Sequence, residues 1–164
     1  MKSHGVYDAL VRRHTCIGNI TEGQWWDIDN TNITIEELVA IGNRSRGLFL
    51  EISPGPFLVR QSLMADSELP VFRLDCAEDV TIEDSIFYSS EDHGDVFNVT
   101  AKRAPRTRKT GKSTLALLEG RKIPPQHVNS GPLRMTGCVL AADAADTALV
   151  FMNSSPPDFY ASMM

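Results

Sequence analysis

The sequence predicts an all-β protein, a parallel β-helix of five to six coils with three short strands in each. Two observations carry that expectation. First, alternating strands recur: Trp25-Trp26-Asp27-Ile28-Asp29 is echoed by Phe49-Leu50-Glu51-Ile52-Ser53, Val71-Phe72-Arg73-Leu74-Asp75 and Val96-Phe97-Asn98-Val99-Thr100, at spacings of 24, 22 and 25 residues. Second, the rest of each repeat keeps step. Ile33 and Ile35 are followed by Phe57 and Val59 and then by Val80 and Ile82, while Thr15, Val39, Leu63 and Ile86 form a later column. A repeat of this length cannot bury its apolar face alone and stacks on its neighbours. The Leu and Asn pattern of leucine-rich repeats is missing, and so is the 3.6-residue period of helical repeats.

Taken in order, residues 6 to 19 fit only the later part of a repeat, because Val11 and Thr15 fall in the second and third columns with no first strand ahead of them. The coil is expected to begin in mid-turn, with further β-helix coils or a capping element at its N-terminal end, as a piece of a longer protein. Regular coils are expected over 5–100, closed by bends such as Asp29-Asn30-Thr31-Asn32 and Ser53-Pro54-Gly55-Pro56. The stretch Ala101 to Lys112 carries six basic residues and no large apolar one, so 101–130 reads as a basic loop and irregular insertion. Leu133, Met135 and Val139 restore the spacing, placing a final coil at 131–153 that ends in the apolar strand Ala148 to Met152. Residues 154–164 read as an irregular tail of the same single domain, 1–164.

At 164 residues, with 42% hydrophobic and 23% charged residues, the chain is long enough for one domain with a sizeable core. A formal charge of -5 gives no reason to expect nucleic acid. No apolar run approaches the roughly 18 residues that cross a bilayer, so no membrane partner is expected. The residues from Met1 to Asp8 lack the apolar segment of a secretory signal, which leaves localisation unknown from the chain itself. Cys16, Cys76 and Cys138 are widely spaced and odd in number, matching neither a disulfide framework nor a metal cluster. Gly111-Lys112-Ser113-Thr114 resembles the end of a phosphate-binding loop, but Arg106 stands where that loop needs glycine.

Stacked strands lie about 4.8 Å apart, so outward positions become ladders. The spacing predicts the ladders Asp27-Glu51-Arg73-Asn98 and Asp29-Ser53-Asp75-Thr100, flanked inside by Trp26-Leu50-Phe72-Phe97 and Ile28-Ile52-Leu74-Val99. Asp27, Asp29 and Glu51 are the candidate catalytic set. Stacked like charges repel, and one carboxyl of such a pair keeps its proton to higher pH, which suits acid and base work. A retaining glycosidase needs carboxyls about 5 to 5.5 Å apart and an inverting one about 6.5 to 9.5 Å; Asp27 with Glu51 fits the first and Asp29 with Glu51 the second. Trp25, Arg73, Asp75, His93, Asp95 and Asn98 are candidate substrate-binding residues on the same side. A surface ion pair between Glu51 and Arg73, and a simple turn at His93-Gly94-Asp95, are the structural alternatives.

The runs Trp25 to Asp29, Gly47 to Val59 and Asp79 to Asp84 resemble right-handed parallel β-helix proteins of the pectin-lyase-like class. More narrowly, they resemble bacterial β-helix proteins related to glycoside hydrolase family 141, in which a Trp-x-Asp strand precedes a Phe-x-Glu strand and a Gly-Pro bend. The resemblance covers residues 5 to 100 and implies a secreted or cell-surface carbohydrate-active parent acting on polysaccharide or oligosaccharide. A glycoside hydrolase needing no cofactor is the expected activity. The alternatives are a lyase, with Ca²⁺ held by the carboxylates and Arg73 as base, and a non-catalytic carbohydrate-binding or structural module.

Overall fold

Apolar residues that alternate along a strand and recur once per turn are buried only if successive turns stack, and the computed structural model has that arrangement. It describes residues 1–90, 93–100, 130–143 and 150–152. The first coil is β1 (Lys2–His4), β2 (Tyr7–Arg12) and β3 (Thr15–Ile17). The second is β4 (Gln24–Asp27), β5 (Thr31–Glu36) and β6 (Val39–Ile41), and the third β7 (Leu48–Ser53), β8 (Phe57–Arg60) and β9 (Leu63–Ala65). Next come β10 (Phe72–Ala77), β11 (Val80–Glu83) and β12 (Ile86–Ser89), then β13 (Phe97–Thr100), β14 (Leu133–Thr136) and β15 (Val139–Ala142), with β16 (Val150–Met152) last. Every pairing is parallel. The first sheet runs β1-β4-β7-β10-β13-β16, the second β14-β11-β8-β5-β2 and the third β15-β12-β9-β6-β3. The chain is a parallel β-solenoid.

Corners are set by backbone conformation. Between the second and third sheets, Arg13, Glu37, Gln61, Asp84 and Gly137 all take left-handed φ, from 48° to 65°. That conformation bends the chain sharply, at roughly 1–2 kcal/mol for a residue with a Cβ. Serines meet the polar groups that each bend turns inward. Ser62 Oγ accepts the Leu38 N–H and donates to the Arg60 carbonyl, and Ser85 Oγ repeats the pattern with Ser62 N–H and the Glu83 carbonyl.

The expected columns of the second and third sheets hold: Ile33, Phe57, Val80 and Leu133 are in register, as are Thr15, Val39, Leu63, Ile86 and Val139. Two expectations about the first sheet are corrected. The coil does not lack a first strand, because Lys2-Ser3-His4 pairs with Trp25-Trp26-Asp27; its polar residues hid it from an apolar pattern. The spacing from the second repeat to the third is 24 rather than 22, with Leu74 beside Leu50 and Asp75 beside Glu51. A slip of two residues keeps every side chain on its face, so alternation alone is blind to it. The missing residue lies at the next corner, where two residues separate Ala77 from Val80 but three separate Ser53 from Phe57. The basic stretch 101–112, the rest of the insertion to 129 and the tail fall outside the described residues.

Inside, Trp26, Leu50, Leu74 and Val99 form one fully packed column and Leu48, Phe72 and Phe97 another. Phe72 stacks on Phe97 at 4.4 Å, and Phe87 from the third sheet meets both edge-on. Ile28 and Ile52 do not continue the inner column as expected. With φ of 48° and 44° they open the corner, where strand alternation ends.

Outside, the second sheet neutralises its own charge. Glu36, 4% exposed, lies between Arg12 and Arg60 in one column and is bonded by both. Arg60 first and Arg12 second hold its carboxyl below the ordinary glutamate value.

Leu74→Ala should cost about 2–5 kcal/mol in urea unfolding, whereas Ile17→Ala, at a position 62% exposed, should stay within about 0.5 kcal/mol. Equal losses would mean that the two positions do not lie on inner and outer faces as described. Because the folded Glu36 carboxyl is the stronger acid, its stabilisation is present above the ordinary glutamate value and is lost as pH falls through the lower folded one. Glu36→Gln should therefore flatten the fall of unfolding midpoint over that acid interval, which titration of the midpoint against pH would detect.

Candidate functional site

Because β4, β7 and β10 pair without slippage, the outward residues of the first sheet form two adjoining columns. One is His4, Asp27, Glu51, Asp75 and Thr100; the other, two residues earlier on each strand, is Lys2, Trp25, Phe49, Arg73 and Asn98. The structure therefore adds Asp75 to Asp27 and Glu51, and moves Arg73 and Asn98 out of that column into the aromatic one. Neighbouring acids are one strand spacing apart, about 4.8 Å between backbones. All three are buried, at 6%, 8% and 3% exposure for Asp27, Glu51 and Asp75.

Burying charge requires partners. Asp27 Oδ2 receives Lys2 Nζ at 2.9 Å and lies 3.3 Å from His4 Nε2. Glu51 Oε2 accepts the Trp25 indole N–H at 3.1 Å, and Asp75 Oδ2 lies 3.5 Å from Arg73 Nη2. The aromatic column adds a second set of contacts. Lys2 Nζ sits 3.3 Å above the Trp25 ring, whose other neighbour, Phe49, is stacked at 5.5 Å. Arg46 and Arg73 both lie over the Phe49 ring, at 4.7 and 5.6 Å. Burial pushes the Arg46 guanidinium down from its ordinary value, the charge of Arg73 adds to that, and Glu22, bonded at 3.0 Å, works against it.

Three other expected site residues lie elsewhere. Asp29 has φ 61° and donates its N–H to the Ile52 carbonyl, which places it past the corner, level with Ser53 and outside the acid column. The expected diagonal between Asp29 and Glu51 across one outer face is thus not formed. His93 and Asp95 sit at the entry to β13, with His93 Nδ1 2.9 Å from Ser90 Oγ and the Asp95 carbonyl accepting the Val71 N–H. Asp95 precedes Thr100 by five residues, about 16 Å of strand, so this pair and the acids occupy opposite ends of the sheet. Among the described residues no group of three acids, histidines or cysteines is placed to hold a metal ion.

Sequence reasoning missed Lys2, His4, Phe49 and Arg46. Phe49 was legible, since it shares Trp25's place in the alternation; Lys2 and His4 stand on a strand without an apolar residue, and Arg46 is in a bend. A separate open groove of about 590 Å³ lies on the corner between the second and third sheets, lined by Arg13, Glu37, Gln61 and Asp84 beside Thr15, Val39, Leu63 and Ile86. None of the expected site residues lines it.

No protein-family model matches the chain, and neither does a curated protein or a solved structure.

Trp25→Phe keeps a ring in the stack and removes the indole donor. It should cost about 1.5–3 kcal/mol of stability, and the cost should largely vanish in a Glu51→Ala background. A double-mutant cycle with no coupling would separate those two side chains and undo the column as described.

Proposed function

We propose that this chain is a segment of a carbohydrate-active parallel β-helix, right-handed and of the pectin-lyase-like kind related to glycoside hydrolase family 141. In this reading it hydrolyses polysaccharide with paired carboxylates on the outer face of the first sheet. The observation that supports it is the in-register stack of Asp27, Glu51 and Asp75 on three consecutive strands. Adjacent strands space the backbones that carry these carboxyls by about 4.8 Å, close to the carboxyl separation used by retaining glycosidases. Glu51, between the other two, is assigned as proton donor to the leaving glycosidic oxygen, with Asp27 as the attacking carboxylate held in place by Lys2 and His4. Arg73, Asn98 and Trp25 flank the acids two residues back and are assigned to substrate positioning. Trp25 would act through its edge, since Lys2 and Phe49 occupy its ring faces. The parent would be secreted or cell-surface.

A second reading, a non-catalytic binding or structural module, is favoured by the burial of the same acids and their partners within the sheet. The lyase alternative has less support, because Arg73 pairs with Asp75 and stands in the aromatic column.

The test incubates the chain and its Asp27→Asn and Glu51→Gln variants with a panel of neutral and acidic polysaccharides. Release of new reducing ends should fall at least about 100-fold in either variant, with unchanged circular dichroism. Retention on polysaccharide without turnover would leave the binding module; calcium-dependent formation of an unsaturated product would mark the lyase. Hydrolysis that ignores both substitutions would remove these residues from the chemistry.

A further inference from the structure

Along its five strands the outer face of the third sheet carries no charged side chain; the carboxylate that reaches it is that of Asp143, just past β15, which accepts the Tyr88 hydroxyl. Its strands turn their middle residues inward and two others outward, and the outward rows are aliphatic except for Thr15 and Tyr88. Ile17, Ile86 and Val139 are 62%, 47% and 53% exposed. Among the described residues the first two sheets have no comparable stripe, since ion pairs cross their outer faces. A contiguous apolar patch on an otherwise polar surface marks an interaction site.

One edge of this face is charged, and the order of charge identifies the occupant. Along the corner column the residues are Arg13, Glu37, Gln61 and Asp84: positive, negative, neutral, negative. We propose that a second copy of this chain docks on the third sheet about a two-fold axis that lies along the strands, midway between β6 and β9. That axis sets Arg13 against Asp84 of the second copy and Glu37 against its Gln61. Sliding the second copy by one strand, which moves the axis by half a strand spacing, sets Glu37 against Asp84 of that copy in one direction and against itself in the other. Of the positions that overlap four or more strands, the midway one alone brings opposite charges together.

The apolar rows agree with that axis. Thr15 meets Ile86 and Val39 meets Leu63, small against large in each case, as interlocking faces require. The Arg13 side chain is 75% exposed, so its contact with Glu37 within the chain leaves it accessible to the second copy. Four stacked strands span about 15–20 Å and the three paired residues along each about 10 Å, so the strands themselves present roughly 150–200 Å², well below the roughly 800 Å² per partner of a standard interface. The dimer is therefore weak and concentration-dependent. It does not depend on the carbohydrate reading, which concerns another wall of the solenoid.

Sedimentation velocity of the full chain over a concentration series tests this, with circular dichroism as the folding control. A reversible monomer–dimer equilibrium is expected. Ile86→Lys should raise the dissociation constant at least about tenfold, equal to about 1.4 kcal/mol. Arg13→Asp and Asp84→Arg should each weaken the dimer and the double variant should restore it, a readout independent of the apolar face. A monomer at every concentration, association insensitive to Ile86→Lys, or a double charge swap that restores nothing would each overturn the proposal.

Discussion

Everything in this molecule depends on coils that stack in register, each N–H meeting a carbonyl one turn away. That register is kept by the corners. Left-handed residues recur at the same level in coil after coil, Arg13 over Glu37 over Gln61 over Asp84 over Gly137, and each bends the chain by the same amount. The conformational cost of these residues is offset by the parallel hydrogen bonding they permit between whole strands. Such a ladder fixes the vertical neighbours of every side chain.

Fixed neighbours make stacked charge the chief difficulty of the outer faces, and two sheets meet it differently. On the second, Arg12, Glu36, Arg60 and Glu83 alternate in sign along one column, so Glu36 is bonded by an arginine on either side and Glu83 stands next to Arg60. On the first, Asp27, Glu51 and Asp75 follow one another, and relief comes sideways from Lys2, His4, Trp25 and Arg73. The second arrangement is stabilising by itself, whereas the first is a local violation of the rule that like charges avoid one another. Such violations concentrate at functional sites. This is the physical ground for placing the candidate site on the first wall.

The sequence carried most of the architecture because burial forces apolar residues into rows. Ile33, Phe57, Val80 and Leu133 are legible as a column since no other placement hides them. The stack of Asp27 on Glu51 was legible for the same reason, through Trp26 on Leu50. Its third member was not. Arg73 and Asp75 have the same parity, and only the length of the corner before Val80 tells which of them faces Glu51. The turning of Asp29 out of the acid column was hidden too, because left-handed φ at Ile28 and Asp29 breaks an alternation that continues in the letters. Lys2-Ser3-His4 pairs through backbone alone, so its strand left no apolar mark.

A parallel solenoid of this kind has three walls that face different ways, and their side chains give them different chemistry: stacked acids with cations and aromatic rings, alternating ion pairs, and bare aliphatic rows. The backbone ladder is indifferent to these choices, since Thr15, Val39 and Leu63 pair as well as Asp27 and Glu51 do. Function is therefore to be sought wall by wall rather than in the fold. Because the apolar rows and the acid column occupy separate walls, a copy seated on the third sheet would leave the first unobstructed, and the proposed association would not compete for surface with a ligand on the acid column.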